Sequence, residues 1–118
     1  MSSVIRTVRQ GDTEAINFTL YSNGSAANIT GYTSAAMYLV SRQDSSTAVS
    51  FTTAGGTFTV GTAASGACSI SPSATSFLNA KSPYRGYVIV IDGTGKRSSF
   101  PEDGEIVFNV LERLSNDI

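Results

Sequence analysis

The chain has 118 residues, of which 41% are hydrophobic and only 14% charged, and its net charge is −1. That length points to one domain, residues 1–118, large enough to bury roughly two-thirds of its unfolded surface without metal or disulfide staples. Charges this sparse and scattered argue against the concentrated cationic face of a nucleic-acid binder, and the regular recurrence of Val, Ile, Phe and Tyr argues against disorder.

Val4 to Arg9 alternates weakly and predicts an edge strand closed by the turn Gln10-Gly-Asp-Thr13. Ala15 to Tyr21 is the cleanest strand: Ile16, Phe18 and Leu20 share one face, Asn17, Thr19 and Tyr21 the other. One face is therefore buried and one wetted, as in an antiparallel sheet. Asn23-Gly24 predicts a tight hairpin, because both residues tolerate positive φ. Asn28 to Gly31 reads as a corner or a short strand. Ala35 to Ser41 is apolar on both faces, with Ala36, Tyr38 and Val40 opposite Met37 and Leu39. Such a strand belongs in the middle of a sheet or near an interface.

Arg42 to Thr47 is turn-like, and Ala48 to Thr53 with Thr57 to Val60, joined by Gly55-Gly56, predicts a second hairpin. Ala67 to Ser71 is a short strand ended by Pro72. Ser73 to Ser82 is the one weakly helical piece, expected as a single turn packing Phe77 and Leu78 onto the sheets and stopped by Pro83. Tyr87 to Ile91 and Glu105 to Leu111 are strands, preceded or followed by the turns Asp92-Gly-Thr-Gly95 and Pro101-Glu-Asp-Gly104. A frayed turn is expected from Leu111 to Asn116. The pattern is about seven to nine short strands, that of an all-β sandwich or small barrel.

The chain contains no histidine, which removes Ser-His-Asp and Cys-His catalysis and histidine-ligated metal sites. Gly93-Thr-Gly-Lys-Arg-Ser98 lacks the upstream glycine of a phosphate loop, and Arg97 stands where that loop needs a hydroxyl. Glu102, Asp103 and Glu105 offer carboxylate oxygens for a hard cation, but Pro101-Glu-Asp-Gly104 is equally a solvated turn, the reading preferred here. The single cysteine, Cys68, alternates with Ile70 and reads as a small buried hydrophobe. No catalytic residue, metal or cofactor is expected, and the protein is not expected to be an enzyme. No signal-peptide or membrane-length apolar run is present, so synthesis in a cytoplasm is expected. Tyr21, Tyr32, Tyr38, Tyr84 and Tyr87 leave one alternative open, a carbohydrate-binding adhesion module.

In order and spacing, several of these segments resemble the immunoglobulin-like domain at the N-terminus of tailed-phage upper baseplate proteins and related phage tail and head modules. The resemblance runs from Gln10-Gly-Asp-Thr13 and Ile16 to Leu20, through the Asn23-Gly24 turn and Asn28-Ile-Thr-Gly-Tyr-Thr33, to Ser34 to Val40. It closes with Tyr84 to Ile91, Asp92-Gly93, Phe100-Pro-Glu-Asp-Gly104 and Glu105 to Val110. It implies an immunoglobulin-like antiparallel β-sandwich without catalytic residues. It also implies a virion component made in the bacterial host, a decoration or attachment protein docking on capsid, neck, tail or baseplate. The expected partners are other virion structural proteins and further copies of the chain, since symmetric particles reuse one subunit, with no nucleic acid and no membrane. The family's domain precedes a stalk; with Ile118 as the last residue, this module is expected to act alone. The surplus apolar faces of Ala35 to Val40 and Tyr87 to Ile91, with the turn charges, make Tyr38, Lys96, Arg97, Glu102 and Asp103 the candidate interface residues.

Overall fold

In the computed structural model, which describes residues 2–22, 24–73, 75–78, 81–101 and 104–112, two long strands pair in the middle of the molecule. Strand β5 (Tyr32–Ser41) runs antiparallel to β9 (Tyr84–Asp92), with Met37 opposite Val88, Tyr38 opposite Tyr87 and Leu39 opposite Gly86. Both sequences are rich in β-branched and aromatic residues, which suit a pleated surface packed on both sides. The free edge of β5 takes β6 (Ala48–Thr52). The other edge of β9 is shared by β10 (Arg97–Phe100) and β11 (Gly104–Leu111), one strand path interrupted at the cis Phe100-Pro101 bond. Strand β1 (Ser2–Arg9) completes this sheet by pairing in parallel with β11.

The second sheet holds β2 (Ile16–Thr19), β8 (Ala67–Ile70) and β7 (Phe58–Thr62), in that order. A two-residue hairpin of β3 (Tyr21–Ser22) and β4 (Ser25–Ala26) extends from β2, turned by Gly24 at φ 80°; Asn23 lies outside the described residues. In immunoglobulin terms β2, β8 and β7 are strands B, E and D, and β6, β5, β9 and β10–β11 are C′, C, F and G. The chain is therefore an immunoglobulin-like β-sandwich.

The two sheets close on one core. Met37, Leu39, Val88 and Val90 from the larger sheet meet Phe58, Cys68 and Ile70 from the smaller. One end is plugged by Phe77, whose ring stacks on Phe108 at 5.0 Å and meets Tyr84 edge-on at 5.4 Å and Phe51 at 5.9 Å. Tyr84, 0% exposed, accepts a hydrogen bond at its Oη from the Leu78 N–H at 3.2 Å. A tyrosine opening strand F and tied to backbone a few residues upstream is the tyrosine corner of immunoglobulin-like folds.

Gly86 is a point of close backbone approach in the central pair. A Cβ built there would lie 1.7 Å from the Tyr38 carbonyl oxygen and 2.9 Å from the Leu39 Cα. Backbone is in the way on that side, so no side-chain rotation relieves the clash.

Several sequence expectations are corrected. The stretches at Ala48 and Thr57 do not form a hairpin: β6 belongs to the larger sheet and β7 to the smaller. The turn between them is tight, with Thr57 N–H donating to the Thr52 carbonyl at 3.1 Å, but the strands then part to cover opposite sides of the core. The sandwich is mixed, since β1 and β11 are parallel. Eleven strand segments occur among the described residues, above the expected range, because β3 and β4 are only two residues long and strand G is interrupted. The described part of 73–82 turns and packs Phe77 inward as expected, but Leu78 stays 36% exposed instead of packing onto the sheets. An unexpected 3-10 turn spans Ala63–Ser65. The frayed turn expected at Leu111 to Asn116 falls largely outside the described residues.

Two substitutions separate these constraints. Gly86→Ala forces β5 and β9 apart and is expected to cost about 3 kcal/mol or more. Tyr84→Phe removes the acceptor of the part-buried Leu78 N–H and is expected to cost about 1 kcal/mol. Urea unfolding of the three proteins measures both; a Gly86→Ala protein of wild-type stability contradicts the packing described.

Candidate functional site

The strand period of two sends alternate residues of β5 and β9 to opposite sides of the larger sheet. With Met37, Leu39, Val88 and Val90 committed to the core, the outer side receives Ala36, Tyr38 and Val40 from β5 and Arg85, Tyr87, Ile89 and Ile91 from β9. Cross-strand register arranges them in rows. Ser50, Tyr38 and Tyr87 form one row, and Thr52, Ala36, Ile89 and Ser99 the next. On the other side, Ala48, Val40, Arg85, Val107 and Ile5 make a third.

The middle row is a ridge, with Tyr38 46% and Tyr87 45% exposed. Shallow recesses flank it. One of about 370 Å³ lies toward Val40, Ala48 and Arg85, and one of about 230 Å³ toward Ala36, Ile89, Ile91 and Arg97. Ile5, 64% exposed, extends the apolar surface to the sheet edge.

The outer side of the smaller sheet has a different chemistry. Its outward residues are Asn17 and Thr19 of β2, Ser69 and Ala67 of β8, and Thr59 and Thr62 of β7, with exposed Gly61 at the irregularity between them. Hydroxyls and an amide there remain content in water, whereas two tyrosines and two isoleucines on the larger sheet leave apolar area that water solvates poorly.

Charge frames the apolar face at both ends. At one end the Arg42 Nη2 lies 2.8 Å from the Glu105 Oε2, and the Arg85 Nη1 lies 3.9 Å from Oε1 of the same glutamate. At that end also, the Asp44 carboxylate accepts from the Ser46 and Thr47 hydroxyls and from Lys81 Nζ at 3.1 Å. Beneath it the buried Ser41 hydroxyl donates to the Lys81 carbonyl and accepts from the Gln43 and Asp44 N–H groups. At the other end the Asp92 carboxylate accepts from the Thr94 hydroxyl at 2.7 Å and from the Thr94 and Lys96 N–H groups. Both carboxyls are held below the ordinary carboxylate range, Asp44 mainly by the Ser46 hydroxyl and then Lys81, Asp92 mainly by the Thr94 hydroxyl and then the Lys96 N–H.

Of the candidate interface residues, Tyr38 and Arg97 come together on this face and border one recess. Lys96 sits beyond it in the exposed β9–β10 turn. Glu102 and Asp103 lie outside the described residues, and with them the cation site considered at Glu102, Asp103 and Glu105. Tyr87, Ile89, Ile91 and Arg85 complete the face; their signal in the sequence was a run apolar at odd and even positions alike. Cys68 is buried, and burial pushes its thiol up to about 11, which keeps it protonated at neutral pH. Among the described residues no group of three or more His, Cys, Asp or Glu is placed to hold a metal ion. Tyr84 takes no part in any surface, and Tyr32 packs against the core.

No protein-family model matches this sequence, and none of the curated proteins shows significant similarity to it.

The two loop carboxylates give the face a pH dependence. A carboxyl held below its unfolded value of about 3.9 contributes stability that is fully present above that value and lost as pH falls toward the folded one. The urea midpoint is therefore expected to drop as pH falls from about 5 to about 2. Asp44→Asn and Asp92→Asn each make that drop shallower; parallel acid profiles for all three proteins would count against the loop geometry.

Proposed function

We propose that this chain is a structural component of a tailed-phage virion. It works as an immunoglobulin-like module that docks through the outer face of its larger sheet onto other virion proteins, in several copies per particle. The observation that carries the reading is the contrast between the two outer faces. One is hydroxyl-covered; the other presents a tyrosine ridge between apolar recesses, framed by salt-bridged and capped loops. A face of that kind suits a protein partner: rigid aromatics supply contact area at little entropic cost, and the rim charges set orientation. The resemblance to phage baseplate and tail modules supplies the biological setting, and the immunoglobulin strand order is consistent with it.

The carbohydrate-binding alternative has less support. Of the five tyrosines, only Tyr38 and Tyr87 lie side by side in register, and they stand on a ridge rather than in a cleft.

Mass spectrometry of purified particles tests the setting: the chain is expected among the virion proteins, and its absence refutes the proposal. The double substitution Tyr38→Glu and Tyr87→Glu tests the face. It places two like charges opposite each other on the ridge without touching the core, so the unfolding free energy should fall by about 1–2 kcal/mol while the protein stays folded. Incorporation into particles should fall at least tenfold. Normal incorporation of a folded double variant would move the docking role elsewhere.

A further inference from the structure

We propose that the open edge of β2 receives an extended strand from another polypeptide, which lies in the seam between the two sheets and adds a fourth strand to the smaller one. This surface is distinct from the outer face of the larger sheet, and the inference does not rest on the virion reading.

The direction of the backbone groups makes the case. Along β2, Ile16 and Phe18 stand opposite Ile70 and Cys68, and one step on the Leu20 N–H donates to the Gly66 carbonyl at 2.9 Å. The even-numbered residues thus spend their N–H and C=O groups on β8, and Asn17 and Thr19 turn theirs the opposite way. The Asn17 carbonyl bears this out by accepting from Arg6 Nη2 at 2.6 Å. No strand pairs along that edge among the described residues. In immunoglobulin sandwiches this is where strand A pairs with strand B; here the first strand pairs with strand G instead.

The side chains show the same vacancy. Ile16 and Phe18 face the core yet are only partly buried. The seam beside them opens into two recesses. One of about 70 Å³ reaches Leu20, Met37, Phe100 and Ile106, and one of about 330 Å³ reaches Val8, Ile16 and Phe77. Arg6 points inward, as the register partner of Phe108, and spans the seam beside the smaller recess.

These features select the occupant. A helix has no free backbone groups to offer Asn17 and Thr19, and a lipid chain has none at all. An extended peptide offers both donors and acceptors, and its alternate side chains fall into the recesses while the others stay in solvent. Its arrival displaces Arg6 from the Asn17 carbonyl, so Arg6 acts as a latch on the empty edge.

The test uses the ¹⁵N-labelled full chain and a synthetic peptide, acetyl-Lys-Thr-Val-Thr-Val-Thr-Val-Lys-amide, with amide hydrogen exchange read by NMR. Peptide is expected to slow exchange at Asn17 and Thr19 at least tenfold. Arg6→Ala should tighten binding severalfold by freeing the Asn17 carbonyl. Thr19→Pro removes an outward N–H, leaves the β8 pairing intact and should abolish protection. The same peptide with proline replacing its central valine should not bind, a control that needs no protein variant. The proposal is overturned if Asn17 and Thr19 stay unprotected at saturating peptide, or if the free edges of β6 and β7 are protected equally. It is also overturned if both amides are already protected in a concentration-dependent dimer without peptide, since a second copy then holds the edge.

Discussion

The pairing of β5 with β9 is the constraint on which the rest of this molecule depends. It runs from Tyr32 opposite Asp92 to Ser41 opposite Tyr84 and lies inside the larger sheet, with β6 on one flank and β10–β11 on the other. Its register sorts two strongly apolar sequences into two uses. Met37, Leu39, Val88 and Val90 enter the core, and Tyr38, Tyr87, Ile89 and Ile91 face outward. A slip of one residue would exchange the sets, burying tyrosine ridges and exposing the core. Gly86 lets the two backbones approach at a point where any side chain would collide with the Tyr38 carbonyl.

Around that pair, each flank solves a different problem. The segment between β8 and β9 returns Phe77 under the sandwich, where it contacts three other aromatic rings, and the Tyr84 hydroxyl ties down the turn that carries it. Edge-on and offset aromatic contacts of this kind fix geometry as well as burying area. The Asp44 and Asp92 loops close the two ends of the outer face with charge-assisted hydrogen bonds to local hydroxyl and N–H donors. Among the described residues no strand pairs along the outer edge of β2, and Arg6 bridges that flank.

Much of this is written locally in the sequence. The alternation of Ile16, Phe18 and Leu20 with Asn17, Thr19 and Tyr21 places β2 and its wetted face. The apolar residues at odd and even positions of Ala35 to Val40 mark a strand with a sheet on both sides and something more than solvent above it. What escaped was decided at a distance. Gly55-Gly56 makes the same tight turn whether the strands after it pair or diverge to opposite sheets; only the competition of β5 for β6 and of β8 for β7 settles that. The parallel register of β1 on β11 joins the first and last of the described strands and leaves no local trace. Tyr84 and Tyr87 look alike in sequence, three positions apart, yet odd spacing in a strand sends one to the core and the other to the surface. Recognising Tyr87 beside Tyr38 required the cross-strand register, which no single strand encodes.

Native-state hydrogen exchange tests the central pairing most directly. A strand flanked on both sides has all its amides bonded, so every amide from Ala36 to Val40 should exchange only through global unfolding, with the same free energy as those of Val88 and Val90. Strand β1, at the sheet edge, should exchange through smaller openings. Alternating fast and slow amides within β5, or exchange from β5 before β1, would show that the β5–β9 pair is not the interior of the sheet and would contradict this account.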